Sequence, residues 1–581
     1  MTTTAPKIVN DCILEILLYL TNDQCTLYNC IQVNRDWCQI AIPLLWMNPF
    51  KFENFKIIQT LIQNFDVQWK GHLLRRRVFN SSSLSSTLFS TSFNYSSFIQ
   101  HFDLSTFKIS VSNWLFKLLN RKPKYDEMIF IYQLVGSYLF KNTRGFVSLT
   151  IDYDFKKINE DFDYFGDPGE LFDEEVTSNF LELYDISKFG YFENAMKNIE
   201  SFKYSYRGYE PTCHQKEFIK AISEIFRKLT LYCNKIQNLI IHSAIDQAFF
   251  EHINFVRKVT SGIILNQQNL QSVSFFEEWR DENGSDTFFS SLTKYQKTKN
   301  SLRSLKFPYF SDMEGLLPFL AIHHSLETLE FTNFFSDYDV VEFCTSKKNN
   351  IASIHIKNLK FYRIKFDKLY NKKNYIKAVE VLLDLSNDNL KTLTVEHVND
   401  TIIQSISDYC KNSLTYLSLK ILPKYFSKFV DILSSLNNLK YLILVEDHDS
   451  RSSRIKYNYS TFAKSFPSSL RHLGLDIFIN PKILELLLNE MEVPITTLDL
   501  YTVMDFGYLE AIVKYIKVNN SNLKNFGFNS FIDSSLNNNR SLHNYMRLMS
   551  ELYNFEISIY IVENHLHIET QHAKICNFSN Y

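Results

Sequence analysis

One short pattern, apolar-x-x-apolar-x-apolar, returns along most of this chain and constrains its fold more than any other feature. It opens at Phe146, Ile199, Ile236, Leu270, Leu302, Leu326, Ile351, Leu390, Leu414, Leu439, Leu470, Ile495 and Leu523. Successive openings lie 24 (302 to 326), 25 (326 to 351), 24 (390 to 414), 25 (414 to 439) and 25 (470 to 495) residues apart. Longer gaps, such as 351 to 390, mark insertions. Several openings follow Asn or Ser, as in Lys-Asn-Ser-Leu414, Leu-Asn-Asn-Leu439 and Pro-Ser-Ser-Leu470. Amphipathic segments lie between them: Phe218 to Leu231, Ile376 to Leu385, Ile402 to Cys410, Phe426 to Leu436, Ile483 to Met491 and Leu509 to Val518. Each reads as a helix by its apolar spacing.

A single strand-and-helix unit of this size cannot cover its own apolar face. Neighbours must cover it, so the expected fold is a stacked array with caps at both ends. The period and pattern resemble the irregular leucine-rich repeats, whose units run about 20–29 residues. The resemblance implies an α/β repeat, a curved solenoid over 141–581 with parallel strands inside and helices outside. Phe555 to Val562, a Glu563-Asn564 turn and His565 to Glu569 alternate like a hairpin cap at about 555–569. Alternate strand residues should line the concave face: Lys306, Glu330, His355, Lys357, Glu396, Lys420, Asp476, Asp499, Tyr501 and the run Tyr416, Tyr441, Ile443 and Val445. That last run places aromatic and branched side chains on neighbouring strands. It is the expected target-binding surface, since such residues form interface cores.

Composition removes several classes of function. Formal charge is −1, from 62 Lys and Arg against 63 Asp and Glu, so nothing steers the chain to nucleic acid or anionic lipid. Only 13 glycines are present, and neither G-x-G-x-x-G nor G-x-x-x-x-G-K-[ST] occurs. Loops that cradle phosphates need such glycines. The nine cysteines are scattered and never spaced C-x-x-C, which fits neither a disulfide framework nor a zinc knuckle. The first twenty residues lack a basic leader and carry Asp11 and Glu15 among their apolar positions. No apolar run reaches the ~18 residues of a membrane span. A reduced, cytoplasmic or nuclear protein is expected, with no cofactor, no metal, no nucleic acid and no membrane partner.

The first fifty residues carry a second pattern. Ile13, Ile16, Leu17 and Leu20 fall on one helical face. Asn10 or Asp11 can cap that helix, and Asn22-Asp23 breaks it and caps a second carrying Leu27, Cys30, Ile31 and Val33. Asn34 to Cys38 opens a third, which Pro43 should interrupt before Leu44, Leu45 and Trp46. Three helices of this size cannot bury much surface alone. The string Ile8, Asp11, Ile13-Leu14-Glu15-Ile16-Leu17, Leu20, Leu27-x-x-Cys30-x-x-Val33-Asn34-Arg35-x-Trp37-Cys38 and Pro43-x-x-Trp46 resembles an F-box of the fungal kind. The resemblance implies a domain at 1–50 that binds the Skp-type adaptor of cullin-based ubiquitin ligases. Its contacts would be Ile8, Ile13, Ile16, Leu17, Leu20, Val33 and Trp37. The implied function is a non-catalytic substrate receptor, with an unidentified target protein on the repeat face. Ile8-Val9 stands where that family has Leu-Pro, which favours the alternative of a non-degradative interaction scaffold.

Residues 51–140 read as a helical connector with a flexible serine-rich insertion at 80–97. Arg75-Arg76-Arg77 reads as solvated surface. Residues 160–175 hold eight acids. As a calcium loop from Asp161 they would put Phe165 and Phe172 at ligand positions, so the stretch reads as an acidic insertion. His565, His567 and His572 lack a completing ligand set. His323-His324 and Cys213-His214 lack an orienting third group. Catalysis by the chain itself is not expected.

Overall fold

The computed structural model describes residues 9–75, 93–154, 185–207, 215–244, 250–277, 301–307, 313–332, 354–362, 369–447, 457–519, 522–531, 539–555 and 557–562. Ile8, the acidic stretch 160–175, Cys213-His214, Arg76-Arg77 and residues 565–572 lie outside them. The chain divides into two units, 1–302 and 303–581.

The first unit begins with α1 (Asn10–Leu18), α2 (Gln24–Cys30), α3 (Arg35–Leu45), α4 (Phe55–Gln63) and α5 (Val67–Arg75). It continues through β1 (His101–Asp103), α6 (Leu104–Leu119), α7 (Tyr125–Asn142), β2 (Ser148–Asp154), α8 (Phe192–Met196) and β3 (Ser201–Arg207). It ends with α9 (Gln215–Tyr232), β4 (Asn238–Ala244), α10 (Phe250–Asn266) and β5 (Ser272–Glu277). Strands β1 to β5 pair in sequence order, all parallel.

The second unit runs β6 (Ser304–Phe307), α11 (Met313–Ile322), β7 (Thr328–Phe331), β8 (Asn358–Phe361), α12 (Leu369–Ser386), β9 (Thr392–Val398) and α13 (Asp400–Cys410). Then come β10 (Tyr416–Ile421), α14 (Phe426–Leu433), β11 (Tyr441–Glu446), α15 (Tyr459–Lys464), β12 (His472–Asp476) and α16 (Pro481–Glu490). The last elements are β13 (Thr497–Met504), α17 (Phe506–Asn519), β14 (Asn525–Phe531), α18 (Asn539–Asn554) and β15 (Ser558–Ile561). These ten strands also pair in order and in parallel. The molecule is an α/β repeat with fifteen described parallel strands alternating with helices, consistent with a leucine-rich-repeat type of solenoid.

The sequence pattern becomes a ladder. Leu305, Leu329, Leu359, Leu393, Leu417, Leu442, Leu473, Leu498 and Phe526 stand opposite one another on consecutive strands, each 0% exposed. Full burial of each such side chain is worth about 1.5–3 kcal/mol. In the first unit aromatic rings fill the same layer, with Phe102 stacked on Phe146 at 5.1 Å.

Three expectations are corrected. The seventh repeat opens at Ile356, not Ile351. The stretch from Ile351 to Phe361 satisfies the pattern in two overlapping registers, Ile351/Ile354/Ile356 and Ile356/Leu359/Phe361. The later one wins because Leu359 joins the leucine row and Phe361 stacks on Phe331 at 5.2 Å. His355 and Lys357 therefore precede the strand. The sheet also starts before 141. Ile99, Phe102 and Leu104 repeat the pattern, and β1 lies within the stretch read as connector. At the other end β15 pairs in parallel with β14; the expected turn and second arm of the hairpin lie outside the described residues. The end of the serine-rich stretch, Phe93 to Ser97, is packed, with Ser96 fully buried.

The backbone after α3 joins this sheet at Met47. The Met47 carbonyl accepts from the N–H groups of both Gln100 and His101, at 3.0 Å each. Gln100 repeats the arrangement toward Val147 and Ser148. Met47 thus acts as the rung before β1, and Trp46 packs on Tyr95 at 4.3 Å.

Candidate functional site

Two surfaces carry the residues singled out by sequence. The first is the three-helix unit. Asp23 caps α2 through Thr26 N–H at 3.0 Å, and Asn34 caps α3 through Trp37 N–H at 3.0 Å. Neither Asn10 nor Asp11 caps α1, which begins at Asn10 behind an extended Val9. Pro43 does not interrupt α3. It sits in the last turn, where only one intrahelical hydrogen bond is lost, and Trp46 N–H bonds the Ile42 carbonyl at 3.0 Å beyond it.

The unit has its own core of Ile13, Leu17, Leu27, Cys30 and Ala41, with Leu20 and Trp37 partly buried against it. This separates the seven expected adaptor contacts. Ile13 and Leu17 are 2% and 0% exposed, so their apolar surface is already used inside the unit. Ile16 and Val33 are 47% and 60% exposed. Leu14, Leu18, Tyr19 and Tyr28, which were not among the expected contacts, are exposed as well. Their signal was available: α1 is apolar nearly all round, and a helix burying one stripe must leave the rest outside.

The second surface is the strand face of the second unit. Tyr416, Tyr441 and His472 occupy one register on β10, β11 and β12. Their rings form a row, 6.3 Å from Tyr416 to Tyr441 and 5.6 Å from Tyr441 to His472. Tyr441 is exposed, while Tyr416 and Val445 are half-buried. Ile443 is corrected. It is buried, because a Cβ on Gly474 would lie 3.2 Å from Ile443 Cγ1 and 3.3 Å from Tyr501 Cε2. Ile443 and Tyr501 close over that glycine, and Ile443 has little surface left for a partner.

Beside this row, Asp499 is buried at the centre of a polar link. His472 Nε2 lies 2.9 Å from Asp499 Oδ2, and the Tyr560 hydroxyl donates to Asp499 Oδ1. One carboxylate thereby joins β12, β13 and β15. Burial and the nearby Asp499 charge push the phenols of Tyr501 and Tyr560 well above the usual range. A second polar cluster sits at a bulge in β9, where His397 adopts φ +57°. His397 Nδ1 and Lys420 Nζ each lie 3.3 Å from the Asp447 carboxylate. Hydrogen bonding from His397, aided by Lys420, holds Asp447 well below the usual carboxylate range despite burial. Lys306 and Glu330, expected to line the concave face, are a nearly buried ion pair at 2.5 Å.

No family model matches the chain, and no curated protein matches it. Among solved structures, a protein from Bacteroides fragilis aligns over 58% of this chain and 76% of its own, at 11% identity and a TM-score of 0.27. Similarity at that level carries no argument here.

Among the described residues no group of side chains is arranged to hold a metal ion, and no helix is long and apolar enough to cross a membrane. The polar clusters tie strands together, and the open residues are aromatic, apolar or cationic.

Proposed function

We propose that this chain is a substrate-receptor subunit of a Skp–cullin–F-box ubiquitin ligase. The three-helix unit binds the Skp-type adaptor, and through it cullin, while the repeat face binds a target protein. The observation that carries the reading is the exposed apolar surface of a unit that already has a core: Ile16 and Val33, with Leu14 and Leu18, stand outside the cluster of Ile13, Leu17 and Leu27. Burying each of four such side chains contributes up to about 1.5–3 kcal/mol, which is comparable with the ~4–15 kcal/mol cost of association. Other subunits transfer ubiquitin. This chain supplies proximity.

The experiment is co-precipitation of the Skp-type adaptor with the full chain. Ile16→Asp/Val33→Asp should abolish it while leaving the unfolding temperature within about 2 °C, since exposed substitutions are worth within about ±0.5 kcal/mol. Leu17→Ala is the contrasting variant, and should destabilise the unit by about 2–5 kcal/mol through a core cavity. Adaptor retained by Ile16→Asp/Val33→Asp sinks the reading. The departure of Ile8-Val9 from Leu-Pro favours a second reading, a scaffold with a divergent F-box. Adaptor captured without cullin would select it.

A further inference from the structure

In the second unit the residues just before β6 to β14 form their own backbone ladder. Glu327 N–H bonds the Arg303 carbonyl, Lys357 bonds Glu327, Lys391 bonds Lys357, and the series continues through Thr415, Lys440, Arg471 and Thr496 to Lys524. Each bond is 2.7 to 2.9 Å, so these residues stand one strand apart. Six of the nine rungs are cations, all exposed, and one is an acid. The equivalent ladder of the first unit, Gln100, Val147, Glu200, Gln237 and Gln271, contains no cation. In a chain of net charge −1 this is a local concentration of positive charge.

The rungs differ in what they have left to offer. Glu327 engages Arg303 at 3.4 Å and Lys357 at 3.0 Å. Arg471 donates to the carbonyls of Ser468 and Leu470. Lys391, Lys440 and Lys524 have no carboxylate partner among the described residues. The next residue on each of these strands carries a hydroxyl, amide or imidazole, including Tyr416, Tyr441 and His472. Free ammonium groups thus border a row of hydroxyls, amides and imidazole.

We infer that this stripe is the seat of an extended, acidic polypeptide segment of the target, running across the strands. The inference deepens the target-binding half of the proposed function. Spacing selects the occupant. Eight steps of ~4.8 Å span ~38 Å, the length of about a dozen extended residues. The unpaired cations are lysines spread along that length, which suits several carboxylates in series. A single phosphoryl group is recognised by convergent donors, above all a free bidentate arginine. Both arginines of the stripe are already engaged.

The probe is a fluorescent peptide of about a dozen residues, rich in Asp and Glu, titrated against the full chain. Three controls accompany it: the Asn/Gln version, a neutral peptide with one phosphoserine, and single-stranded RNA of similar length. The acidic peptide should bind, and Lys391→Glu/Lys440→Glu/Lys524→Glu should weaken it by about tenfold to a hundredfold. Lys220→Glu/Lys411→Glu/Lys482→Glu makes the same charge change on α9, at the end of α13 and on α16, and should weaken it less than about threefold. Equal loss in both triple variants, no binding, or preference for the phosphopeptide or RNA overturns the inference. Adaptor co-precipitation is measured on the same variants. If it persists while peptide binding is absent, only the stripe assignment falls; if it is absent while peptide binding follows the stripe, only the ligase reading falls.

Discussion

Gly527→Ala should be far more damaging than the same change at Gly474, although both glycines occupy the same register position on repeat strands. A Cβ at Gly527 would lie 2.4 Å from Asp499 Oδ1, 2.4 Å from Val562 Cγ2 and 2.7 Å from Tyr560 Cε2. Two neighbouring strands would have to move, and Asp499 would lose its placement between His472 and Tyr560. Overpacking of this kind costs about 1–3 kcal/mol, and disturbing hydrogen bonds to a buried charge about 1.5–3 kcal/mol. The total is about 3–5 kcal/mol. At Gly474 the contacts are 3.2 and 3.3 Å, which a few tenths of an ångström relieve. Replacing a strand glycine also recovers about 0.5–1 kcal/mol of backbone entropy, so Gly474→Ala should fall within about 1 kcal/mol of wild type. Urea unfolding followed by circular dichroism reads the difference if the m-value is unchanged, and hydrogen exchange localises it to β13–β15. Equal midpoints for the two variants would refute the packing argument.

Asp447→Asn should destabilise the protein by about 1.5–3 kcal/mol near pH 7, because it removes a charge held by His397 and Lys420. The folded carboxyl titrates below its unfolded value of about 3.9, so its contribution is present above that pH and is lost as the pH falls through the folded value. Melting curves of wild type and variant should therefore converge below about pH 4, and a constant gap would contradict the assignment. Thiol reactivity offers another check. Burial pushes Cys233 and Cys410 up to about 12, whereas Cys12 and Cys25 are exposed. Brief alkylation at pH 8 followed by mass spectrometry should label Cys12 and Cys25 in the native protein, and Cys233 and Cys410 only after unfolding.

The repeat was legible because one physical rule governs it: every strand must send apolar side chains at fixed offsets into a shared layer. Thirteen openings were read from that rule, and twelve fall in the observed register. It failed where the rule was satisfied twice, at Ile351 to Phe361, and only stacking of Phe361 on Phe331 resolves the choice. It also missed the first strand: β1 is only three residues long, so it carries less of the pattern. The helical unit was legible as three helices, but not as an inside and an outside. Ile13, Ile16 and Leu17 share one stripe, and only the packing of α2 and α3 determines that Ile16 lies beyond its edge.

The same reasoning explains why the basic stripe escapes a linear reading. Lys391 and Lys440 are 49 residues apart in sequence and two rungs apart in space. Charge accumulates in the direction of the hydrogen bonds, perpendicular to the chain, so no window along the sequence contains it. A parallel repeat therefore writes its core and its open face in different directions. The core is read along each strand, where apolar offsets are short and local. The open face is read across strands, one residue per repeat, and becomes visible only when the register is fixed. That is why the leucine ladder could be anticipated from spacing alone, while Ile443 had to be corrected: its burial is decided by Gly474 on the next strand and Tyr501 on the one beyond. In such a fold a target-binding residue is defined by its neighbours in adjacent repeats. Single substitutions on the stripe should accordingly produce small, graded losses, and the combined variant is the one that tests it.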